Sequence, residues 1–318
     1  EFGALTGFST SFLPTGSIAY MEYIRDDFPC YPRFLKENGY KTIALHPFDS
    51  TIYKRDESYP KMGFDVFYGQ EDFVNPEKHG AYIDEKETVR KLIELYEQAT
   101  VEGDPVFIHT VTMQNHIPNA PDEYAADYKV NATIEGVDPY YKSCLESSAT
   151  GLRDIDESIG LLLDYFSACD RDVVVLLFGD HQTAIGDRKG VELLDELPEF
   201  TSLSEEQKHT ATHTVPYLMW ANFEQKDAET AGMMPPYQLL ATTLKEYNVL
   251  RPAYFDWLAS SQATLKGINI GRVIEPDGTL GGTVKGASEA QWGVLERQKL
   301  LQYDAMFGQN WAHEAMYG

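Results

Sequence analysis

Histidine is scarce in this chain, eight among 318 residues, and three of the eight come just after short, largely apolar runs. His46 follows Thr42 to Leu45, His116 follows Pro105 to Thr112 within Gln114-Asn115-His116, and the pair Asp180-His181 follows Asp172 to Phe178. A carboxylate oxygen beside a neutral imidazole is a donor pair for Mn, Mg or Zn, which take such ligands at about 2.0–2.2 Å and need more than two of them. Gly179 lets the backbone turn sharply, so that Asp180 and His181 can both face one site. The competing reading makes Asp180 the cap of a following helix and His181 an ordinary surface residue. Ahead of His116, Thr112, Gln114 and Asn115 place polar groups at a strand end that carries them when something there needs hydrogen bonds; a satisfied core histidine is the alternative. His46-Pro47 and Arg55, in Tyr53-Lys54-Arg55-Asp56, make a second cluster. The planar fork of Arg suits a phosphate or carboxylate, against a plain surface ion pair with Asp56 or Glu57, and Tyr53 stands where it can line the same pocket.

The elements that must hold these residues are four short, nearly all-apolar strands: Thr42 to Leu45, Pro105 to Thr112, Asp172 to Phe178 and Val215 to Trp220. Strands of that texture are buried on both faces, and with helical patterns at Tyr31 to Asn38, Glu85 to Gln98 and Ser147 to Phe166 they predict an α/β fold, a mostly parallel central sheet with helices on both faces. Ligands of such sheets gather outside the carboxyl ends of the strands, so the candidate side chains converge if their strands are parallel neighbours. His213 precedes its strand and stands at the wrong end unless that strand runs antiparallel. Pro118 to Asp138 reads as a long loop, and loops of that length are often functional. Its Asn131-Ala-Thr133 acceptor pattern is too short to carry weight. Beyond residue 250 the texture changes to short β-like pieces (Gly267 to Ile274), turns at Asp277-Gly278 and Gly281-Gly282, and a helix from Ser288 to Met306. The expected division is a domain of residues 1–250 followed by a small α+β subdomain of residues 251–318. The Gly278 to Gly286 stretch, with Lys285, lacks the order of a phosphate loop and reads as a hairpin. There is no G-x-S-x-G elbow, which disfavours an ordinary serine hydrolase.

Composition narrows the partners. Fifty acidic residues against 26 basic give a net charge of −24, which repels nucleic-acid backbones. The longest strongly apolar run, Val173 to Phe178, is far short of the roughly 18 residues of a membrane span. Cys30, Cys144 and Cys169 are odd in number and widely spaced, giving neither a disulfide framework nor a metal motif.

Taken in order, these segments resemble the lipoteichoic acid synthase family, a sulfatase-like branch of the alkaline phosphatase superfamily found as extracellular domains on Gram-positive membranes. The resemblance is carried by Glu1-Phe2-x-x-Leu5-Thr6-Gly7, Phe12-Leu13-Pro14 with Gly16-Ser17, Gly39-Tyr40-Lys41-Thr42, His46-Pro47 with Tyr53-Lys54-Arg55-Asp56, and Met62-Gly63-Phe64-Asp65. It continues through Val111-Thr112-Met113-Gln114-Asn115-His116, Phe178-Gly179-Asp180-His181-Gln182 and Val215-Pro216-Tyr217 with Trp220-Ala221-Asn222. It implies Asp180 and His181 as ligands of one divalent ion, Mn or Mg, and His116 as a contact to the substrate phosphate. His46, Arg55 and Tyr53 would hold the glycerophosphate head group. Tyr53 stands where relatives often carry Trp, and Phe48, with Asp49 beside it, where some carry an acidic contact.

The resemblance further implies that the nucleophilic Thr and a metal-binding Glu lie upstream of Glu1, together with a membrane anchor, so that no catalytic nucleophile falls within the chain and the chain alone is inactive. The activity implied is a metal-dependent phosphoglycerol transferase. It would take the head group of phosphatidylglycerol through a Thr-linked intermediate to a glycerophosphate polymer of the cell envelope. Two rivals stand beside it: a phosphodiesterase or sulfatase-like hydrolase on the same scaffold, and a non-catalytic domain that binds cell-wall polymer. A sulfatase proper would show a Cys/Ser-x-Pro-x-Arg signature, which is absent.

Overall fold

The computed structural model describes residues 1–117, 119–186, 193–224, 232–269 and 271–318, which leaves Pro118 of the long loop and Ile270 of the C-terminal β region outside the described residues. The fold is α/β. Strands β1 (Lys41–Leu45), β2 (Val66–Tyr68) and β5 (Val106–Thr110) form a parallel sheet in the order β2-β1-β5, with the two-residue strands β3 (Lys78–His79) and β4 (Tyr82–Ile83) as a hairpin beside it in sequence. The register runs from Lys41 opposite Val106 to Leu45 opposite Thr110, so β1 and β5 end together and deliver His46 and Val111 to the same edge.

Strand β6 (Val174–Phe178) pairs with β7 (Tyr217–Ala221), and the pairing is antiparallel, Phe178 opposite Tyr217. The connection therefore leaves and re-enters the ladder at one edge, where residues 179–186 and 213–216 meet. The two ladders share their covering layers. Phe107 of β5 and Leu176 of β6 pack into the cluster of Phe2, Leu5, Phe8, Tyr31, Phe64, Tyr254 and Phe255. Val106 and Ile108, with Val175 and Trp220, pack on the other face against Val89, Tyr96, Leu162 and Phe166. Alternation with period two sends neighbours to opposite faces, which places both ladders in one layer between the same helices.

The helices are fixed by local chemistry. Asp84 caps the helix Glu85–Thr100, its side chain accepting from the Lys86 and Glu87 amides at 2.7 and 3.3 Å. Asp138 caps Pro139–Ser167 in the same way. These two helices pack on each other and bury one side of β5. Within the second helix Gly151 is a required small residue, since a Cβ there would collide with the side chain of Asn115.

Beyond residue 250, β8 (Gly267–Asn269), β9 (Arg272–Ile274) and β10 (Leu280–Thr283) form a small antiparallel sheet, and β9 and β10 make a hairpin across Asp277-Gly278, with Gly278 at φ 84°. Leu265, Ile268, Val273 and Leu295 form its core. Tyr254, Phe255, Leu258, Met306, Met316 and Tyr317 from the same region join the large cluster around Phe2, Leu5 and Phe8. Cys30, Cys144 and Cys169 are free. Among the described residues no helix is long and apolar enough to cross a membrane.

Candidate active site at the carboxyl edge of the sheet

A chain of ring contacts joins the candidate histidines. His46 and Phe48 have centroids 6.2 Å apart, Phe48 and Tyr82 5.7 Å, Tyr82 and His116 6.0 Å, and His116 and His181 6.2 Å. Three separate strand ends are thus brought to one place, with the β3–β4 hairpin supplying Tyr82 as the link.

Each histidine is oriented in the same manner. A carbonyl can only accept, so Nδ1 carries the proton where it meets one: His46 donates to Val111 at 3.0 Å, His116 to Ile117 at 2.8 Å and His181 to Gln182 at 2.8 Å. In the neutral ring Nε2 is then the lone-pair nitrogen, the tautomer that a metal ligand or a proton acceptor needs. His46 is 2% exposed, and burial, reinforced by the Arg55 charge, pushes its pKa below the ordinary range and keeps it neutral.

Asp180 and His181 are open to solvent, with side chains 51% and 54% exposed. The Asp180 Oδ2 atom lies 3.5 Å from His181 Nε2, while its Oδ1 accepts the His181 amide at 2.9 Å. This donor pair fits a divalent ion as a partial ligand set, one oxygen and one oriented nitrogen. Among the described residues no group of three or more His, Cys, Asp or Glu side chains is arranged to hold a metal. The antiparallel run of β7 also brings His213 to this edge. The Gln182 side-chain amide donates to the Thr214 carbonyl, tying the two loops together.

On the other flank, Arg55 is 3% exposed and pairs not with Asp56 or Glu57 but with Glu1, Nη2 to Oε1 at 2.7 Å. The second Glu1 oxygen accepts from the Tyr59 hydroxyl at 3.3 Å. Burial would raise the Glu1 carboxyl, and the Arg55 guanidinium beside it works against that, favouring the charged carboxylate. The Tyr53 ring covers the guanidinium at 5.3 Å. Tyr53 and Lys54 both adopt φ 56°, a left-handed conformation that costs a non-glycine residue on the order of 1 kcal/mol, and Tyr53 stays 47% exposed. His109 lies beneath this group; full burial lowers its pKa to about 4 and keeps it neutral.

Sequence reasoning did not single out Glu1, Tyr59, Tyr82 or His109. Glu1 entered only as the first letter of a resembling stretch, and the others lie inside runs that read as packing. Behind His116, Gln114 is buried and accepts the Glu85 amide at 2.6 Å while donating to Asp154 at 2.8 Å and to the Tyr124 hydroxyl at 3.1 Å. These bonds fix the loop that carries His116.

The whole chain is 29% identical over 332 residues to a putative cyclic beta-1,2-glucan modification protein of Rhizobium meliloti, spanning 100% of this chain and 48% of that protein. A lipoteichoic acid synthase of Staphylococcus saprophyticus is 26% identical over 175 residues, 53% of this chain and 25% of that protein. The chain thus spans half or less of the length of these curated relatives. Among solved structures, the phosphoglycerol transferase GacH of Streptococcus pyogenes, in complex with sn-glycerol-1-phosphate, superposes with a TM-score of 0.71 at 19% identity, over 99% of this chain and 74% of that one. The lipoteichoic acid synthase LtaP of Listeria monocytogenes gives 0.64 at 18% identity, over 97% and 79%. These likenesses show that the fold is shared. The sulfatase family model matches residues 1–248, the stretch that holds both flanks of the site, and the chain belongs to that family.

Proposed function

We propose that this chain is the head-group-binding and metal-binding part of a phosphoglycerol transferase that takes glycerophosphate from phosphatidylglycerol. The observation that carries the reading is the run of ring contacts from His46 through Phe48, Tyr82 and His116 to His181, which links two unlike flanks. One offers a buried neutral imidazole and a guanidinium beneath an aromatic ring (His46, Arg55, Tyr53). The other offers a carboxylate and two oriented imidazoles (Asp180, His181, His116).

The chemistry divides accordingly. His46, neutral with its Nδ1 proton committed to Val111, presents Nε2 as an acceptor, which suits a glycerol hydroxyl. Arg55 offers donors to the phosphate, and Tyr53 packs the glycerol carbons. His116 stands between the flanks, where Nε2 takes a proton from an attacking hydroxyl or, once charged, donates to phosphoryl oxygen. Asp180 and His181 would hold one divalent ion, Mn or Mg, which when bound supplies Lewis-acid stabilisation of charge on the phosphoryl group. The nucleophile is the Thr that the family resemblance places outside this sequence, and the transfer passes through its glycerophospho-ester. The name of the relative from Rhizobium meliloti, a cyclic beta-1,2-glucan modification protein, supports a glucan hydroxyl as the acceptor.

The test is to incubate the longest natural form of the protein with phosphatidylglycerol, Mn and a β-glucan. Diacylglycerol together with glycerophosphorylated glucan supports transfer. Free glycerophosphate with unmodified glucan assigns a hydrolase, a second reading favoured by the solvent exposure of Asp180 and His181. No product of either kind overturns both.

A further inference from the structure

The Arg55 guanidinium makes one short bond, 2.7 Å to Glu1, and one long one, Nη1 to the Ile52 carbonyl at 3.5 Å. Its Nε is buried with no partner among the described residues. Among the described residues Glu1 is the sole carboxylate paired with it. Glu1 is itself held on both sides. Its second oxygen receives the Tyr59 hydroxyl, and it opens the helix Phe2–Thr6, whose residues are all buried. That helix ends at Gly7, φ 73°, where a Cβ would strike Leu258 and Tyr254, so its position is locked to the core. Two more buried polar atoms with no partner among the described residues, Tyr20 OH and His109 Nε2, belong to side chains that feel the charges of the pair. The other neighbours of the guanidinium, the Ile52 carbonyl, the Tyr59 hydroxyl and the Tyr53 ring, are uncharged, so Glu1 is its one charged partner among the described residues.

We infer that Glu1 is a positioning residue: its carboxylate aims Arg55 at the phosphate of the substrate head group and compensates the guanidinium charge in the interior. The inference rests on the reading of Arg55 as a head-group contact. Glu1 acts through Arg55 and touches no substrate atom itself. Both Glu1 oxygens face protein donors, Arg55 and Tyr59, which is the arrangement of a side chain that acts through its neighbour. A buried cation whose counter-charge is removed is left both unpaired and free to turn.

Glycerol 1-phosphate is the probe, titrated into the chain by calorimetry, with unfolding temperatures measured in parallel. The unaltered chain binds it, and Arg55→Ala weakens binding. Glu1→Gln, which keeps shape and removes charge, weakens it by about tenfold or more, as for a lost charge-assisted hydrogen bond. In an Arg55→Ala background Glu1→Gln costs nothing further, which a general structural role would not produce. Equal or tighter binding by Glu1→Gln, with Arg55→Ala still impaired, overturns the inference and leaves the head-group reading standing. Absence of binding by the unaltered chain overturns the head-group reading and the inference with it. If Glu1→Gln does not fold, Glu1→Asp keeps the charge and shortens the reach; binding equal to that of the unaltered chain then overturns the positioning role.

Discussion

His116 and His181 meet edge to face, ring centroids 6.2 Å apart and planes at 82°, each with Nδ1 tied to a backbone carbonyl of its own loop. The contact couples the loop after β5 to the loop after β6 through two rings whose Nε2 atoms are not used on those carbonyls, that of His181 lying 3.5 Å from Asp180 Oδ2. A metal drawn to Asp180 and His181 therefore sits within reach of the residue assigned to proton transfer. Two protein donors alone hold a divalent ion weakly. The expected result is weak Mn binding by this chain, abolished in Asp180→Ala and in His181→Ala and retained in His116→Ala. Electron spin resonance of free Mn measures it directly, and tight binding that survives Asp180→Ala would move the metal elsewhere.

His116 and Arg55 should respond differently to truncation. His116 is half-buried on a loop, so His116→Ala is expected to leave the unfolding temperature nearly unchanged. In the longest natural form it should lower turnover by about a hundredfold to a thousandfold, as for a lost stabilising donor. Arg55→Ala leaves the buried Glu1 carboxylate without its partner, which costs about 3–5 kcal/mol when a buried pair is broken. Calorimetry should show that loss of stability together with the loss of turnover. An Arg55→Ala protein as stable as the original would mean that the pair contributes nothing to the fold.

The positions of His46, His116 and Asp180-His181 were legible because each follows a short apolar strand, and the rule placing ligands at carboxyl ends needs only local pattern. The Glu1 partner of Arg55 was not. The two lie far apart in sequence and are joined only by tertiary packing, and the nearer Asp56 and Glu57 offered the obvious local pair. His213 shows a second limit. Its end of the sheet depends on the direction of β7, and an all-apolar strand reads identically in either direction until its partner is known. The aromatic link through Tyr82 depends on the two-residue strands β3 and β4, too short to give any periodicity.

The loop that carries His116 should be sensitive to a methyl group on the helix behind it. Gly151 faces Asn115, and a Cβ there has no room. Gly151→Ala raises helix propensity, yet overpacking at a tight contact costs about 1–3 kcal/mol and outweighs it. The expected outcome is a lower unfolding temperature and weaker glycerol 1-phosphate binding, through displacement of Asn115 and His116. A stabilised Gly151→Ala protein with unchanged binding would show that the loop gives way freely.

The pH response should come partly from Glu85. It is 2% exposed with Oε1 unpartnered among the described residues, and burial raises its carboxyl from the ordinary 4.5 to about 7, opposed by a hydrogen bond from Thr112. A raised carboxyl means that the folded chain holds a proton that the unfolded chain has released. Below pH 4.5 both states are protonated and the group costs nothing. Between about 4.5 and 7 stability falls as pH rises, because ionised Glu85 is favoured only in the unfolded chain; above 7 the full penalty, on the order of 3 kcal/mol, persists. Glu85→Gln removes the titration. Its unfolding temperature relative to the unaltered chain should therefore be higher at pH 8 than at pH 5, with the difference appearing between those values. If the two proteins differ by the same amount at both pH values, Glu85 ionises normally in the folded state, and a half-buried carboxyl, Glu123, whose pKa desolvation likewise raises to about 7, is left to account for any slope.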